Sequence, residues 1–99
     1  MSTKKWLKDA GVNTIIIDTD SRGTLFYRVD TQWGHGTIGS RETGNNPTLR
    51  QIVAAFYHGA IGETQRILAN PDTSDSLRSA AQNRIAAISS VLATLTEAP

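Results

Sequence analysis

The fold of this chain is decided by two stretches, Thr48–Asn70 (TLRQIVAAFYHGAIGETQRILAN) and Ser76–Thr96 (SLRSAAQNRIAAISSVLATLT). Both are long enough for an α-helix, and both repeat apolar side chains at intervals of three and four residues, which places them on one helix face. The connection Asn70–Asp75 (NPDTSD) contains a proline and small polar residues that favour a turn. The sequence therefore predicts an antiparallel helical hairpin.

Apolar side chains form a stripe on each predicted helix. On the first helix the stripe comprises Leu49, Ile52, Val53, Phe56 and Ala60, followed by Ile67 and Leu68. On the second helix it comprises Leu77, Ala81, Ile85, Ile88, Leu92 and Leu95, with a line of smaller residues beside it at Ala80, Ala87 and Val91. Because the second helix carries two apolar lines, we expect it to contact both its hairpin partner and a second copy of the chain.

Residues in the middle of the first helix depart from this stripe. Phe56, Tyr57 and His58 point in three directions, so we expect only Phe56 to join the stripe and Tyr57 to lie at a subunit interface, where tyrosine is enriched. Gly59 and Gly62 each cost about 1 kcal/mol relative to alanine inside a helix. We therefore expect either a close backbone approach by the second helix or a second chain, or a kink near Gly59.

Residues 1–46 predict a small β layer that follows a short helix. The predicted elements are a helix over Thr3–Ala10 capped by Ser2 and ended by Gly11, strands over Asn13–Thr19 and Thr24–Asp30, a weaker third strand over Gln32–Ile38, and a polar loop over Ser40–Asn46. Pro47 fits the first turn of the next helix. The predicted fold class is α+β, with a single domain over 1–99. In it, a small N-terminal antiparallel β-hairpin or three-stranded sheet (1–46) is followed by a C-terminal antiparallel helical hairpin (47–99).

The composition limits the classes of protein to which this sequence can belong. Apolar residues make up 38% of the chain, which is low for a self-sufficient small monomer, so we expect a homo-oligomer. The net charge of +1 argues against a binder of nucleic-acid polymers, which usually presents a concentrated basic face. The sequence has no cysteine, no apolar run that could span a membrane and no apolar signal core after Met1–Lys5. We therefore expect a cytoplasmic protein without membrane contact.

Residues with catalytic chemistry are sparse. His35 and His58 lie in unrelated contexts, without the spacing of metal ligands. Asp18 and Asp20 could in principle hold Mg²⁺, although aspartates at a strand end are more often turn formers. The stretch Gly34–Gly36 lacks the lysine and the following helix of a phosphate-binding loop. We therefore expect no enzyme, no metal site and no cofactor.

Basic and aromatic residues are better candidates for binding a ligand. All lysines lie at the start of the chain, at Lys4, Lys5 and Lys8, and we interpret them as a solvated tail or part of the short first helix. Every later basic residue is arginine, which either serves bidentate contact with phosphate or reflects codon bias. The ring of Trp33 either is presented to a ligand or packs back on the sheet. Arg78, Asn83 and Arg84 of the second helix either form a solvated face or contact a ligand.

The hairpin resembles the helical-hairpin domain of phage anti-defence proteins, the sponges that counter the Thoeris and CBASS antiviral systems. The matching positions are Ile52, Gly59, Ile67 and Leu68, the connection Asp72–Asp75, then Arg78, Ala81, Arg84, Ser90, Leu92 and Ala93. The anti-Thoeris members also have an antiparallel β layer before the hairpin. The resemblance implies an oligomeric, non-catalytic protein of the bacterial host cytoplasm. Such a protein sequesters nucleotide immune signals, either cyclic ADP-ribose isomers or cyclic oligonucleotides.

A ligand of this kind requires arginines for its phosphates, an aromatic ring for base stacking and amides for base or ribose edges. The candidate ligand-binding residues are Arg28, Trp33, Phe56, Arg78, Asn83 and Arg84. Three other functions stay open at this point. They are a small phage inhibitor that binds a host protein such as a CRISPR effector, a nucleic-acid accessory protein that uses the arginines, and an enzyme built around Asp18, Asp20 and His35.

Overall fold

A computed structural model describes residues 2–99 and confirms the predicted α+β fold. The elements are, in order, α1 (Thr3–Asp9), β1 (Val12–Thr19), β2 (Leu25–Thr31), β3 (Gly34–Gly39), α2 (Ser40–Thr43), α3 (Leu49–Ala69) and α4 (Asp75–Thr94). A three-stranded antiparallel sheet therefore precedes a pair of long helices, as the sequence predicts. Among the residues that the structure describes, no helix is both long and apolar enough to cross a membrane.

The sheet has the strand order β1-β2-β3, so β2 is central and the other two strands form the edges. Side chains alternate between two faces, and Tyr27, Val29 and Thr31 of β2 are buried on the face that meets the helices. The third strand begins later than the predicted Gln32, because Gln32 and Trp33 form the turn that connects β2 to β3.

Both halves of the chain contribute to one hydrophobic core. Its buried members are Trp6, Ala10, Val12, Tyr27, Val29, Ile52, Val53, Tyr57, Ala60 and Ile88. Tyr57 is fully buried, so the expectation that it lies at a subunit interface is wrong. The buried residues of α3 recur at helical spacing as Val53, Tyr57, Ala60 and Thr64, so the face that meets the core is centred on Tyr57. Phe56 lies at the half-buried edge of that face.

The helix boundaries follow from local capping. The hydroxyl of Ser2 accepts a hydrogen bond from the backbone N–H of Lys5 at 3.1 Å and starts α1. The hydroxyl of Thr48 accepts from the N–H of Gln51 at 3.2 Å, and the side chain of Gln51 accepts from the N–H of Thr48 at 2.8 Å. Thr48 is therefore the N-cap of α3. Pro47 precedes the cap, so the expectation that it lies in the first turn of the helix is wrong.

The segment that follows β3 also differs from the prediction. Ser40–Thr43 forms the short helix α2 where the sequence suggested a polar loop. The carboxylate of Glu42 accepts a hydrogen bond from the backbone N–H of Gly39 at 2.9 Å, which is the half of a capping box that a glycine N-cap permits. Polar composition alone does not reveal such a turn, since the stabilising contact is made by one side chain.

The hairpin helices are continuous and pack on each other. α4 begins after the N-cap Ser74 and ends at Thr94, before the predicted Thr96. A Cβ atom added at Gly59 or Gly62 meets nothing within 4 Å, so no part of residues 2–99 approaches these glycines closely. The expected approach by the second helix is therefore wrong, and α3 continues through both glycines.

The apolar stripe of α4 is only partly buried. Ala81 and Ile88 are buried, whereas Leu77 is 50% exposed. Ala80, from the predicted second apolar line, is exposed as well. The homo-oligomer expected from this helix stays a prediction.

Candidate functional site

An open concavity of about 880 Å³ lies between α1, the start of β1 and the turn before β3. It is lined by Ser2, Lys4, Lys5, Leu7, Lys8, Asp9, Gly11, Val12, Asn13 and Gln32. All lysines of the chain, which the sequence places within one stretch of α1, border this cavity. We refer to it as the lysine concavity.

The charge of the lysine concavity is positive. Lys4, Lys5 and Lys8 contribute three positive charges and Asp9 one negative charge, which leaves a formal charge of +2 (3 − 1). The ammonium of Lys5 lies 3.0 Å from the carboxylate of Asp9, but both side chains are more than half exposed. An ion pair of this kind contributes at most about 1 kcal/mol. Within residues 2–99, Lys4 and Lys8 have no carboxylate partner.

The lining of the concavity also includes two side-chain amides and a close-packed glycine. The side chains of Asn13 and Gln32 line it, and the backbone N–H of Gln32 donates to the carbonyl of Gly11 at 3.1 Å. Gly11 has φ +76°, and a Cβ at this position would lie 2.6 Å from Cζ3 of Trp33. The indole ring therefore lies directly against Gly11, and no other residue type fits there without displacing it.

Trp33 packs back on the protein, which is one of the two arrangements that the sequence left open. Its half-buried ring meets the ring of Tyr57 edge to face, with the centroids 5.7 Å apart. The hydroxyl of Tyr57 donates a hydrogen bond to the carbonyl of Ala10, which is next to Gly11. Burial raises the pKa of Tyr57 to about 12, and the hydroxyl of Thr31 opposes this shift in part. These contacts join the turn at Trp33 and the lining residue Gly11 to Tyr57 of α3.

Arg28 lies on the sheet face that the helices leave uncovered, because it alternates along β2 with the buried Tyr27 and Val29. It borders a groove of about 290 Å³ lined by Thr14, Ile16, Arg28, Val29, Asp30, His35, Gly36 and Thr37. Its guanidinium lies 5.8 Å from the ring centroid of Phe26 and 3.3 Å from the carboxylate of Asp18. With Asp30 at the groove, the two carboxylates outnumber the arginine, and this face does not favour a polyanionic ligand.

Arg84 connects three elements between the helices and the sheet. Its Nη1 donates to the hydroxyl of Thr64 at 3.0 Å, and that hydroxyl donates to the carbonyl of Ala60 at 2.7 Å. A Cβ at Gly34 would lie 3.2 Å from Nη2, so the guanidinium packs on the start of β3. Its Nε is buried without a hydrogen-bond partner in the described part of the chain. Because the guanidinium is packed on all these groups, Arg84 holds α4 to α3 and β3.

Arg78 and Asn83 do not line the lysine concavity or the groove beside Arg28. The guanidinium of Arg78 donates to the carbonyls of Leu68 at 2.7 Å and Asn70 at 3.2 Å, which terminates α3 and fixes the hairpin connection. Asn83 is exposed on α4. Phe56 packs beside Tyr57, with the ring centroids 5.9 Å apart.

Within one copy of the chain, the six candidate residues therefore do not lie together, and a shared site between copies stays a prediction. Trp33 and Phe56 flank the core tyrosine, and Arg28, Arg78, Asn83 and Arg84 lie in four other places. Sequence reasoning missed the lysine concavity, because the lysines were interpreted as a solvated tail or part of the short first helix and not as the border of a cavity. The available signal was their spacing: Lys4 and Lys8 are one helical turn apart, on the same side of α1 as each other.

Within residues 2–99, no three His, Cys, Asp or Glu side chains come together in a cluster that could hold a metal ion. Comparisons with protein-family models, with curated proteins and with solved structures find no match to this chain.

Proposed function

We propose that this protein binds a phosphate-bearing nucleotide signal, such as a cyclic ADP-ribose isomer or a cyclic oligonucleotide, and sequesters it without cleavage. The observation that carries the proposal is the lysine concavity, in which all lysines of the chain surround one cavity of about 880 Å³. Pockets for small molecules generally measure about 300–1,000 Å³, so a nucleotide is of suitable size. Sequestration is a binding function, and the proposal assigns no catalytic group.

Charge supports a phosphate at the rim of the concavity. Lys4 and Lys8 have no carboxylate partner among residues 2–99, so an incoming phosphate displaces only water from them. Exposed lysines attract anions through solvent, and the attraction weakens as the salt concentration rises. We therefore expect an affinity that falls with ionic strength.

The side-chain amides of the concavity support recognition of the base or ribose. Side-chain amides present both donors and acceptors, and those of Asn13 and Gln32 border the cavity. The amide nitrogen of Asn13 donates to the carboxylate of Asp30 at 3.4 Å, so its oxygen is the group left for a ligand. The indole of Trp33 lies behind Gly11 and is half buried. A ligand seated in the concavity is therefore expected to change the fluorescence of this tryptophan.

The experiment is calorimetry with a panel of cyclic nucleotides, followed by recovery of the ligand from the denatured protein. We expect binding and unmodified ligand. In the double variant Lys4→Gln/Lys8→Gln the affinity should fall about tenfold, since each exposed charge contact contributes up to about 1 kcal/mol. The matched control is Arg22→Gln/Arg66→Gln, which removes the same charge at exposed positions elsewhere.

Other outcomes separate the alternatives. Equal affinities for the lysine double variant and its control would refute the lysine concavity as the site. Weaker binding in Arg28→Ala, or in an Arg84→Ala variant whose circular dichroism and melting temperature match those of the unmodified chain, would place the ligand at one of the arginines selected from the sequence. A converted ligand would make the protein an enzyme.

A second candidate function is inhibition of a host protein, such as a CRISPR effector. The exposed apolar side chains of Ile17 and Leu25 at the far end of the β1–β2 hairpin favour it, since such side chains are common at protein interfaces. Absence of binding across the whole nucleotide panel would favour this candidate.

A further inference from the structure

The free edge of β1 has the composition of a strand that pairs with another strand. β1 is an edge of the sheet, and its residues 14–19 read Thr-Ile-Ile-Ile-Asp-Thr. Edge strands of monomeric proteins are usually guarded by lysine, by proline or by bulges along their length. Here the irregularity is confined to Val12–Thr14, and the remaining edge carries only the charge of Asp18.

Isoleucines are exposed on both faces of this edge. Ile16 is 51% exposed on the uncovered face, and Ile17 is 61% exposed on the face that carries the helices. Residues that alternate along a strand point to opposite faces. A partner lying on one face of the sheet would cover only one of these side chains, whereas a strand added at the edge contacts both.

The hydrogen-bond pattern identifies which backbone groups are free. The N–H of Asp20 donates to the carbonyl of Thr24 at 3.0 Å, and the register continues as Asp18 opposite Phe26 and Ile16 opposite Arg28. In an antiparallel ladder hydrogen-bonded pairs alternate with non-hydrogen-bonded pairs. The even-numbered residues of β1 therefore bond to β2, and the odd-numbered residues point their N–H and C=O groups to the open edge. Of these, the N–H of Thr19 already donates to the carboxylate of Asp18 at 2.8 Å, so the free groups of the edge are those of Ile15 and Ile17.

We propose that two copies of this chain pair through β1 in antiparallel orientation, about a two-fold axis at Ile16, and form a continuous six-stranded sheet. A two-fold interface must be self-complementary, because the same surface is present on both sides. In this register Ile16 lies opposite Ile16 of the second copy, Ile15 opposite Ile17, and Thr14 opposite Asp18. Ile15 and Ile17 then form hydrogen-bonded pairs through their free backbone groups.

Registers shifted toward either end of β1 are less favourable. An axis at Ile15 places Ile17 opposite Asn13, which lies in the irregular stretch Val12–Thr14. An axis at Ile17 places each Ile16 opposite Asp18, and an axis at Asp18 places the two carboxylates opposite each other. Apolar and charged residues pair poorly across strands, and like charges destabilise the pair. The sequence Thr14–Asp18 therefore favours one register and a second copy of this chain as the partner. The dimer does not depend on the proposed nucleotide function.

The test is sedimentation velocity over a wide range of concentration. We expect a concentration-dependent dimer for the unmodified chain. In Ile17→Lys the dissociation constant should rise roughly tenfold or more, because lysine enters an apolar seam twice. Leu77→Lys is the matched control, since Leu77 is 50% exposed on α4, and we expect its dimerisation to be unchanged. The circular dichroism of both variants reports whether each chain folds.

Cross-linking tests the register, because the chain has no cysteine of its own. Across a non-hydrogen-bonded pair the Cα atoms lie about 4.5 Å apart, within the range of about 4.4–6.8 Å for a disulfide. Ile16→Cys should therefore form a symmetric disulfide on mild oxidation. Ile17→Cys should not form a disulfide, since residue 17 of one copy and residue 17 of the other are diagonal neighbours, roughly 8 Å apart.

Three results would overturn the proposal. The first is a monomer at every concentration. The second is a dimer that Leu77→Lys weakens as much as Ile17→Lys does, because association would then involve α4. The third is a disulfide in Ile17→Cys but none in Ile16→Cys, which would exclude the register about Ile16.

Discussion

The hydroxyl of Tyr57 ties α3 to the junction between α1 and β1. It donates a hydrogen bond to the carbonyl of Ala10, and both residues are buried. Tyr57→Phe removes the donor but keeps the ring, so the edge-to-face contact with Trp33 remains. The substitution leaves the buried carbonyl of Ala10 without this partner, and that is the expected source of the lost stability.

The cost at neutral pH follows from the burial of that carbonyl. A buried acceptor that loses its partner costs about 1–3 kcal/mol. In a domain of this size, each kcal/mol lowers the melting temperature by about 4–8 °C. We expect Tyr57→Phe to be about 1.5 kcal/mol less stable than the unmodified chain at pH 7, near the lower middle of that range.

The pH dependence of the free energy of unfolding provides a second, independent measure of the role of this hydroxyl. Burial raises the pKa of Tyr57 from 10.0 to about 12 in the folded state. Above pH 10 the unfolded chain loses this proton while the folded chain retains it, so stability falls as pH rises through 10–12. At pH 11 the loss is about 1.4 kcal/mol relative to neutral pH, which corresponds to one pKa unit. Tyr57→Phe lacks the titrating group, so the two proteins should have nearly equal stability at pH 11.

The assay is urea unfolding of both proteins at pH 7, 9 and 11 by circular dichroism. Subtracting the two free energies of unfolding removes every contribution that the two proteins share. A stability difference that is the same at pH 7 and pH 11 would show that the hydroxyl is not held neutral by burial. Equal stability at pH 7 would show that the bond to Ala10 contributes nothing.

Two further substitutions test the packing. Gly11→Ala should destabilise the protein by about 2–4 kcal/mol, through the unfavourable positive φ and a collision with Trp33. Gly23→Ala is its control, since Gly23 has φ +77° but no atom within 4 Å of a Cβ, and it should cost only about 1–2 kcal/mol. Equal losses in urea unfolding would exclude the collision. Arg78→Ala should cost about 1–2 kcal/mol, because two carbonyls at the end of α3 lose their donor. Arg22→Ala, at an exposed turn, should lie within about 0.5 kcal/mol of the unmodified chain, and a loss equal to that of Arg78→Ala would contradict the capping role.

The main elements of the fold were predictable because each is encoded over a short distance along the chain. The helical hairpin follows from apolar periodicity and from the turn sequence Asn70–Asp75, and the β1–β2 hairpin follows from a β-branched run and a turn sequence. The errors occurred where one side chain decides the outcome. The helix α2 depends on the contact of Glu42 with the N–H of Gly39, which composition does not reveal.

The buried face of α3 illustrates a different limit. Phe56 and Tyr57 are adjacent aromatics, and either could lie at the centre of an apolar face. The neighbouring elements select Tyr57, because Ala10 offers it a buried acceptor and Trp33 offers it a ring edge. Both partners are distant in sequence, so periodicity within α3 could not distinguish the two residues.

The sequence alone determined the helix pair, the pairing of β1 with β2 and the α+β class, because periodicity, capping and turn chemistry act between residues close in the chain. Only the tertiary structure decided which polar groups share a cavity. In the fold, Lys4 and Lys8 line the same cavity as Asn13 and Gln32, whereas Arg78 and Arg84 make packing contacts within the hairpin. The physical reason is that a cavity is formed by segments that meet across the fold, and their relative placement depends on how the core packs.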